Sequence, residues 1–394
     1  MGKTEANTQS NNDELLLSKD EELFLRLVSA YCHDEKALDE ISLSNEEKES
    51  IKDLCARHNL SHVFLNKENA YGTVIKYYRL LFASADISKI LSENGIGCIV
   101  LKGCATSVFY KVPEMRKSGD VDILLEDPGK IDEAVKILYA NCFTKSEEQH
   151  ANHHVVLNGH GINLEIHTML VEPFDDNFIN RYIKDLLGEI KERKIKRIVC
   201  GVEIPTLEDD LHAYELILHM LQHYLREGFG IRLLCDWTLF WNREVDEKHK
   251  SLYLKLVSES RIKGFSDMVT KCCIEYLGLD EDKVGWMDIE KDLDTSLFIK
   301  DILSAGDFGN AEKGRMVSLR GTKPSDYIRE FHHQMHLNFP KAGRVFIIWP
   351  VLWLITYIRF ERNNRNIRKV NASEIFASAR ERSKIVQSMH IFIR

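Results

Sequence analysis

The spacing of apolar residues changes twice along this chain of 394 residues. From Asp13 to Asn69 the apolar residues recur at helical intervals, and Ser44, with two glutamates shortly after it, is typical of a helix N-terminus. A long helix is predicted from about Val74 to Asn94, because its apolar residues fall on one face. Short β-type runs follow, and from Thr206 onwards the period is helical again.

Four short apolar runs lie between the long helix and residue 206. The predicted strands are Cys98–Leu101, Val121–Leu125, His154–Leu157 and Ile162–Ile166, with a helix over Ile131–Ala140 between the second and the third. Two glycines, Gly95 and Gly97, are expected to end the long helix. The last two strands enclose the sequence Asn-Gly-His-Gly, which indicates a hairpin.

These patterns predict an α+β fold, in which a small mixed β-sheet core is flanked by helical regions on both sides. We expect a flexible tail over residues 1–12 and an N-terminal helical region over 13–69. The sheet-containing core is expected over 70–205, and a C-terminal helical domain over 206–394.

Composition excludes several classes of protein. Hydrophobic residues make up 44% and charged residues 29% of the chain, a balance typical of soluble globular proteins. A formal net charge of -8 argues against a protein that binds duplex DNA. The nine cysteines form no C-x-x-C pair, and the first residues are polar, so we expect reduced thiols and a cytoplasmic location.

One apolar segment, Val345–Ile358, is the longest in the chain. It contains Pro350 and is shorter than the roughly 20 residues that a membrane-spanning helix needs. A buried or interfacial helix is therefore expected here, and peripheral membrane contact is not. Docking at a membrane interface stays open as the minor alternative because arginines flank the segment, at Arg344, Arg359, Arg362 and Arg365.

The most informative stretch is Gly119-Asp120-Val121-Asp122, at the start of the second predicted strand. Aspartate is a poor strand former, yet two aspartates alternate here with apolar residues. Residues i and i+2 of a strand point to the same face, about 6.5 Å apart. Two carboxylates held in this way repel each other unless a cation lies between them, and Mg²⁺ takes such ligands. The alternative is a solvated strand edge with two ordinary acids.

The surrounding motifs favour a metal-binding pair of aspartates over a solvated strand edge. Lys102-Gly103 follows the first strand, R-x-x-G-D-x-D is met by Arg116, Gly119, Asp120 and Asp122, and E-x-H by Glu165 and His167. Over roughly residues 70–240 this arrangement resembles the DNA polymerase β-like nucleotidyltransferase superfamily. It is most similar to a bacterial family within it that is known only as uncharacterised nucleotidyltransferases.

The resemblance implies a role for each carboxylate. Asp120 and Asp122 would bind two metal ions, Mg²⁺ or Mn²⁺, and Glu165 would be a third metal ligand or the base for the attacking hydroxyl. All three would be catalytic. The core over residues 70–205 would then be the nucleotidyltransferase core.

The resemblance also implies a phosphate-binding side. Lys102 and Arg116 would neutralise phosphate charge, and Gly103 would let the backbone approach the triphosphate, with Gly119 beside them. The superfamily usually has Gly-Ser or Gly-Gly at the phosphate turn, whereas Cys104 follows the glycine here. A thiol is a weak donor, so a side-chain contact to phosphate at this position is in doubt.

The implied reaction moves a nucleoside monophosphate from a nucleoside triphosphate to an acceptor and releases pyrophosphate. The acceptor, whether a small molecule, a tRNA or a protein, is not specified by the sequence. One alternative is a non-catalytic nucleotide-binding or interaction module on the same fold. Another is a helical scaffold whose acidic strand faces solvent.

Histidines and one charge pair complete the candidates. His212, His219 and His223 fall near one helical face, where structural roles are expected and zinc is the weaker alternative. His167 is expected to pack or to support Glu165, and His153-His154 gives only a weak signal. Arg232 and Asp236 are spaced i, i+4 on a predicted helix, which indicates either an ion pair within that helix or a role in shaping the nucleotide cleft.

Overall fold

The computed structural model of this chain describes residues 17–33, 41–65, 70–146, 154–226, 228–307, 323–339, 342–363 and 382–392. The predicted flexible tail over residues 1–12 lies outside these ranges. The fold is α+β, as predicted, with a mixed sheet surrounded by helices on both sides.

The central sheet has five strands in the order β1-β2-β5-β4-β3. The strands are β1 (Cys98–Leu101), β2 (Val121–Leu125), β3 (Thr144–Lys145), β4 (His154–Gly159) and β5 (Ile162–His167). Only β2 and β5 run parallel, whereas the other neighbours are antiparallel. The two strands β1 and β2 have the predicted bounds, and β4 and β5 form the predicted hairpin. Asp122 pairs with Glu165 in the parallel register, so this pairing positions the site.

A second hairpin was not predicted. It consists of β6 (Lys194–Val199) and β7 (Val202–Leu207), and β7 lies against β1. The expectation of a helix from Thr206 is therefore wrong by three residues, since the helix begins at Asp209 and Glu208 before it makes no side-chain cap bond. Charged residues on both faces of β6 hide the strand alternation, and the turn depends on positive φ angles at Cys200 and Gly201.

Helices form the rest of the described chain. In the first half they are α1 (Lys19–His33), α2 (Asn45–Ser50), α3 (Lys52–Arg57), α4 (Ser61–Phe64), α5 (Tyr71–Glu93), α6 (Gly103–Ser107), α7 (Ile131–Ala140) and α8 (Asn177–Ile190). In the second half they are α9 (Asp209–Leu225), α10 (Ile231–Trp241), α11 (Glu247–Glu259), α12 (Lys263–Leu277), α13 (Glu281–Val284), α14 (Ser296–Ala305), α15 (Pro324–Asn338) and α16 (Trp349–Asn363). Short 3-10 helices occur at Pro113–Met115, Pro128–Lys130, Lys191–Arg193, Gly285–Met287, Ala342–Arg344 and Phe346–Ile348. The predicted N-cap at Ser44 is present and forms a capping box with Glu47.

The two faces of the central sheet have different neighbours. Val121, Ile123 and Leu125 are buried in a core that α5 completes from one side. Leu124 belongs to a second core, which the helical part of the chain supplies. Because side chains alternate along a strand, Asp122 shares the face of Leu124 and points towards the helical part. The aspartate pair therefore lies on the face that the helices cover.

The N-terminal helices and the C-terminal helical region share the second core. Helix α1 packs against α10 and α12, and its Phe24 and Val28 are buried with Trp237 of α10. Ile385 and Met389 near the C-terminus lie in the same core. The helical regions before and after the sheet thus form one packed layer over it.

The apolar segment 345–358 differs from its expected burial. Leu352 and Thr356 are buried, but Ile347, Val351 and Leu354 are each more than half exposed on the opposite side. Of the two expected states, buried or interfacial, burial therefore holds for one face of α16 only. Within the described residues, no helix combines the length and the hydropathy needed to cross a membrane.

A stability test follows from the two-faced sheet. Ile123 of β2 is fully buried in the core that α5 completes. Ile123→Ala should therefore lower the free energy of unfolding by about 2–5 kcal/mol through the cavity it leaves. Ile198 on β6 is 68% exposed, and Ile198→Ala should change the stability by less than about 0.5 kcal/mol. Denaturant unfolding of both variants checks this. Equal losses in the two would contradict the assigned core.

Candidate active site

A cleft of about 440 Å³ lies between the acidic face of the sheet and helices α9 and α10. It falls in the size range of small-molecule sites. All the site residues predicted from the sequence line it, namely Lys102, Gly103, Arg116, Gly119, Asp120, Asp122 and Glu165. Residues that are far apart in the chain are thus brought to one place by the pairing of β2 with β5.

The three carboxylates lie close enough to affect one another. Asp122 and Glu165 are direct partners in the parallel register, and Asp120 lies two residues before Asp122. Burial and the charge of Asp122 raise the pKa of Asp120. The same two causes raise the pKa of Glu165 to about 7. Burial and mutual repulsion therefore both oppose full ionisation of these carboxylates.

Asp122 is the carboxylate with the most support. His167 Nε2 lies 2.8 Å from Asp122 Oδ1, and Lys102 Nζ lies 3.4 Å from the same oxygen. Although burial opposes ionisation, these two neighbours hold the pKa of Asp122 well below its usual range. His167 Nε2 is also 3.4 Å from Glu165 Oε2. The imidazole thus bridges two of the carboxylates, in agreement with the supporting role expected for it.

The turn after β1 brings a cation to the carboxylates. Lys102 has a φ of 43°, a conformation that a residue with a side chain rarely adopts, and Gly103 follows with a φ of 35°. Burial opposes the charge of Lys102, but Asp122 and Glu215 outweigh it and raise the pKa of this ammonium group. On the other side, Gly119 has no heavy atom within 4 Å of the position a Cβ would take. Gly119 thus leaves room for a ligand beside the carboxylates, whereas a Cβ at Gly103 would contact Ser118 Oγ at 3.6 Å.

Arg116 is held within the protein. Its Nε and Nη2 donate to the two oxygens of Asp236 at 2.8 and 2.7 Å, and its Nη1 donates to Ser118 Oγ at 2.7 Å. Tyr110 Oη also donates to Asp236 Oδ1, at 2.6 Å. A direct contact of Arg116 with phosphate would break these buried bonds. The contacts favour a different role, which is to hold the loop before Asp120 against helix α10.

Of the two alternatives for Arg232 and Asp236, the ion pair within the helix is wrong. Arg232 instead contacts Asp307, with Nη2 3.2 Å from Asp307 Oδ2, and donates to the carbonyl oxygen of Lys117 at 3.0 Å. Asp236 forms its ion pair with Arg116. Both residues of the predicted pair therefore bind partners distant in sequence, and both line the cleft.

Two of the three α9 histidines face the cleft. His219 and His223 line it, and burial lowers the pKa of both, that of His223 to about 3, so their rings are neutral near pH 7. His212 lies elsewhere: its Nε2 is 3.2 Å from Thr106 Oγ1, and its ring stacks on Phe240. The structural role expected from the sequence fits His212, whereas the rings of His219 and His223 form part of the cleft wall.

Two residues at the site were missed or passed over. Glu215 on α9 is fully buried, and neither carboxylate oxygen has a hydrogen-bond partner among the described residues. Burial raises the pKa of Glu215 to about 8. A glutamate inside an otherwise apolar helical run is the signal that could have identified it. His154 is the direct partner of His167 across the β4–β5 hairpin, a register that the sequence does not specify.

The match to a family of known class identifies this chain as a protein of nucleotidyltransferase type. The chain belongs to the family described as uncharacterised nucleotidyltransferase, whose sequence profile matches residues 49–278, more than half of the chain. This match extends beyond residues 70–240, which carry the motif resemblance. Among curated proteins none matches.

One solved structure is similar over part of the chain. It is the crystal structure of an antigenic nucleotidyltransferase-like protein from Paracoccidioides brasiliensis, with 13% sequence identity and a TM-score of 0.32. The similarity covers 46% of this chain and 88% of that one. A likeness of this size carries no inference about function.

The buried pair of Arg116 and Asp236 gives a first prediction for the site. Asp236→Leu should lower the free energy of unfolding by about 3–5 kcal/mol, because it leaves a buried guanidinium without its counter-charge. Adding Arg116→Met should recover a large part of this loss, since the unpaired charge is then gone. Chemical denaturation of the single and double variants measures both effects. A single variant as stable as the wild type would contradict the assigned pair.

The crowded carboxylates predict a pH-dependent stability in metal-free buffer. Because the pKa of Glu165 is raised from 4.5 to about 7, the unfolded chain loses this proton first, and ionisation destabilises the fold as the pH rises through that range. Glu165→Gln removes this effect. The variant should gain up to about 3 kcal/mol over the wild type at pH 8 and almost nothing at pH 4. Thermal melts at both pH values test this, with Glu93→Gln at the exposed end of α5 as the control. A gain independent of pH would refute the argument.

Proposed function

We propose that this chain is a metal-dependent nucleotidyltransferase that moves a nucleoside monophosphate from a nucleoside triphosphate to an acceptor and releases pyrophosphate. The observation that carries the proposal is the convergence of Asp120, Asp122 and Glu165 from two parallel strands on one face of a cleft. The family assignment supports the class of reaction. The acceptor is left open by the observations.

The donor set fits Mg²⁺ or Mn²⁺. Oxygen ligands from carboxylates are those that these ions prefer, and burial together with the charge of Asp122 raises the pKa values of Asp120 and Glu165. Asp120 and Asp122 would hold the ions, with Glu165 as a third ligand. When bound, they would neutralise charge on the phosphates and orient the reacting oxygens.

The side chains of the cleft divide the remaining work. Lys102 is the cation beside the carboxylates, and it would neutralise the triphosphate. Gly103 and Gly119 would let the backbone approach the phosphates. His219 and His223 line the cleft as neutral rings. Each ring would form hydrogen bonds with the acceptor substrate or with the nucleobase of the triphosphate.

In the chemical step an acceptor oxygen or nitrogen would attack the α-phosphorus. A new bond from the acceptor to phosphorus forms, and the bond from the α-phosphorus to the bridging oxygen breaks. The bridging oxygen leaves with the pyrophosphate, and the proton of the acceptor passes to a base. Glu165 is the candidate base if it does not serve as a metal ligand, since its pKa is raised to about 7, close to neutral pH.

Arg116 has a positioning role in this proposal. Its bonds to Asp236 and to Ser118 tie the loop before Asp120 to helix α10. The direct contact of Arg116 with phosphate stays a prediction from the sequence. Its burial and its partners favour the indirect role.

A non-catalytic nucleotide-binding module is the second candidate, and Cys104 favours it. This residue stands where the superfamily usually has serine or glycine, and its side chain is buried. Burial raises the pKa of the thiol to about 11, so it stays a neutral, weak donor. A module of this kind would bind triphosphate without turnover.

The defining experiment incubates the purified chain with each of the four nucleoside triphosphates and Mg²⁺ or Mn²⁺, and measures pyrophosphate release and label transfer from the α-phosphate. We expect metal-dependent release with at least one triphosphate. Asp122→Asn should abolish it, because one ligand charge is lost from the centre of the site. Asp127→Asn makes the same change at an exposed cap that follows β2, and should leave the rate unchanged. Wild-type turnover in the Asp122 variant would refute the site, and binding without turnover would favour the module.

Lys102 allows a separate test of triphosphate binding. Lys102→Ala should weaken the affinity by about 1.5–3 kcal/mol, because a charge-assisted bond in a partly desolvated cleft is lost. Lys89→Ala removes a lysine that is 73% exposed on α5, and its affinity should match the wild type. Calorimetry with a non-hydrolysable analogue measures both. Unchanged affinity in the Lys102 variant would exclude the lysine from the phosphate site.

A further inference from the structure

Beside the aspartates, the cleft holds a second group of potential ligands. His154 on β4 is the cross-strand partner of His167 on β5, and Glu165 lies two residues before His167 on the same face. One donor atom from each of these three residues lies within 4.8 Å of the other two. This group contains two imidazoles, unlike the aspartate pair.

The distances within the cleft are those of neighbouring ligands on one cation. His167 Nε2 is 2.8 Å from Asp122 Oδ1 and 3.4 Å from Glu165 Oε2. Donor atoms that each lie about 2.1 Å from a shared ion are about 3.0 Å apart at right angles and about 3.4 Å apart at the tetrahedral angle. Glu165 and His167 therefore already have the spacing of two ligands on one ion, and the donor atom of His154 lies within 4.8 Å of theirs.

A second group with similar spacing shows the opposite case. Glu208, Asp210 and His249 also have donor atoms within 4.8 Å of one another. Arg193, however, occupies that group, with Nη2 3.0 Å from Glu208 Oε2 and 2.6 Å from Asp210 Oδ2. A guanidinium already supplies the positive charge there. In the cleft, by contrast, His167 contacts the carboxylates of Asp122 and Glu165.

We propose that His154, Glu165 and His167 form a three-ligand site for a divalent transition-metal ion of the Zn²⁺ and Co²⁺ class. The site lies next to the Asp120–Asp122 pair, which suits Mg²⁺. Imidazole is a preferred ligand of Zn²⁺ and its neighbours in the periodic table and a poor ligand of Mg²⁺. One side of the cleft, the hard side, thus offers the carboxylates of Asp120 and Asp122, and the other, the borderline side, offers the imidazoles of His154 and His167. Glu165 belongs to both sides. The inference rests on the proposed function because Glu165 is part of both sites. Binding of a transition-metal ion at the borderline side, however, needs no nucleotide.

The experiment titrates the metal-free, full-length chain with Co²⁺ and follows the visible d–d absorption, with no nucleotide present. We expect the wild type to bind one Co²⁺ in the site, and a large excess of Mg²⁺ to leave the spectrum unchanged. His154→Gln should weaken the Co²⁺ affinity by about 100-fold or more, because even loss of an outer-shell partner costs 10–100-fold. Absence of Co²⁺ binding in the wild type, or equal affinity in the variant, overturns the proposal.

The control variant is His249→Gln, which removes the histidine from the group that Arg193 occupies. Its Co²⁺ affinity should equal that of the wild type. Cys142 and Cys200 are the exposed cysteines, and binding to them would appear as thiolate-to-cobalt charge transfer rather than as a pure nitrogen and oxygen spectrum. A thiolate spectrum, or a loss of affinity confined to His249→Gln, also overturns the proposal.

A measurement on the wild type alone covers the case in which His154→Gln does not fold. X-ray absorption of the chain loaded with one equivalent of Zn²⁺ should show the outer-shell scattering of two imidazoles. A ligand shell made only of oxygen atoms, or one that contains sulfur, would contradict the site. The outcome is independent of the proposed transfer reaction. If no triphosphate supports pyrophosphate release while the two-imidazole shell is present, the proposed function fails and the metal site stands. If pyrophosphate release proceeds but the ligand shell of the zinc holds only oxygen atoms, the metal site fails and the proposed function stands.

Discussion

The pairing of Asp122 with Glu165 across two parallel strands is the constraint on which the site depends. It places two carboxylates side by side on one face of the sheet, with Asp120 two residues away. Like charges at this spacing repel, and burial increases the cost of their ionisation, as the raised pKa values of Asp120 and Glu165 show. A fold that keeps such an arrangement has to hold it by contacts made elsewhere in the molecule.

Those contacts come from both sides of the sheet. On the face away from the cleft, α5 and the apolar residues of β2 form a core that fixes the strand register, because a shift by one residue would turn Ile123 into the cleft. On the cleft face, Arg116 binds Asp236 of α10 and fixes the loop from which Asp120 emerges. Lys102 and His167 then offset part of the charge on Asp122. The order of the site thus comes from packing and from one buried ion pair, and the negative charge it leaves is what a cation would balance.

The sequence predicted the acidic strand well and its surroundings unevenly. The alternation of Asp120 and Asp122 with valine and isoleucine is a local signal, and β2 has the predicted bounds. The proximity of Glu165 could be inferred only from the family resemblance, because no local pattern reports which strands pair. The ion pair expected between Arg232 and Asp236 failed for a related reason. Partners from other parts of the chain displaced the helical neighbour, as long-range contacts often override local spacing.

Other features were beyond the reach of sequence patterns. The β6–β7 hairpin carries charged residues on both faces, so its alternation is weak. His154 enters the site only through its register opposite His167. Helix α16 was expected to be buried or interfacial because it is apolar, yet apolarity does not specify which face is covered, and Val351 and Leu354 are exposed. In each case the missing information is a tertiary contact.

The most direct test of the central claim is to count the metal ions that the carboxylates bind. Electron paramagnetic resonance of Mn²⁺ reports free and bound ions separately, and a titration in the presence of a non-hydrolysable triphosphate analogue gives the number of bound ions per chain. The account predicts tightly bound Mn²⁺ in the wild type, with that binding lost when Asp120 and Asp122 are both replaced by asparagine. Equal binding of Mn²⁺ by the wild type and this double variant would contradict a metal site at the acidic face of the sheet.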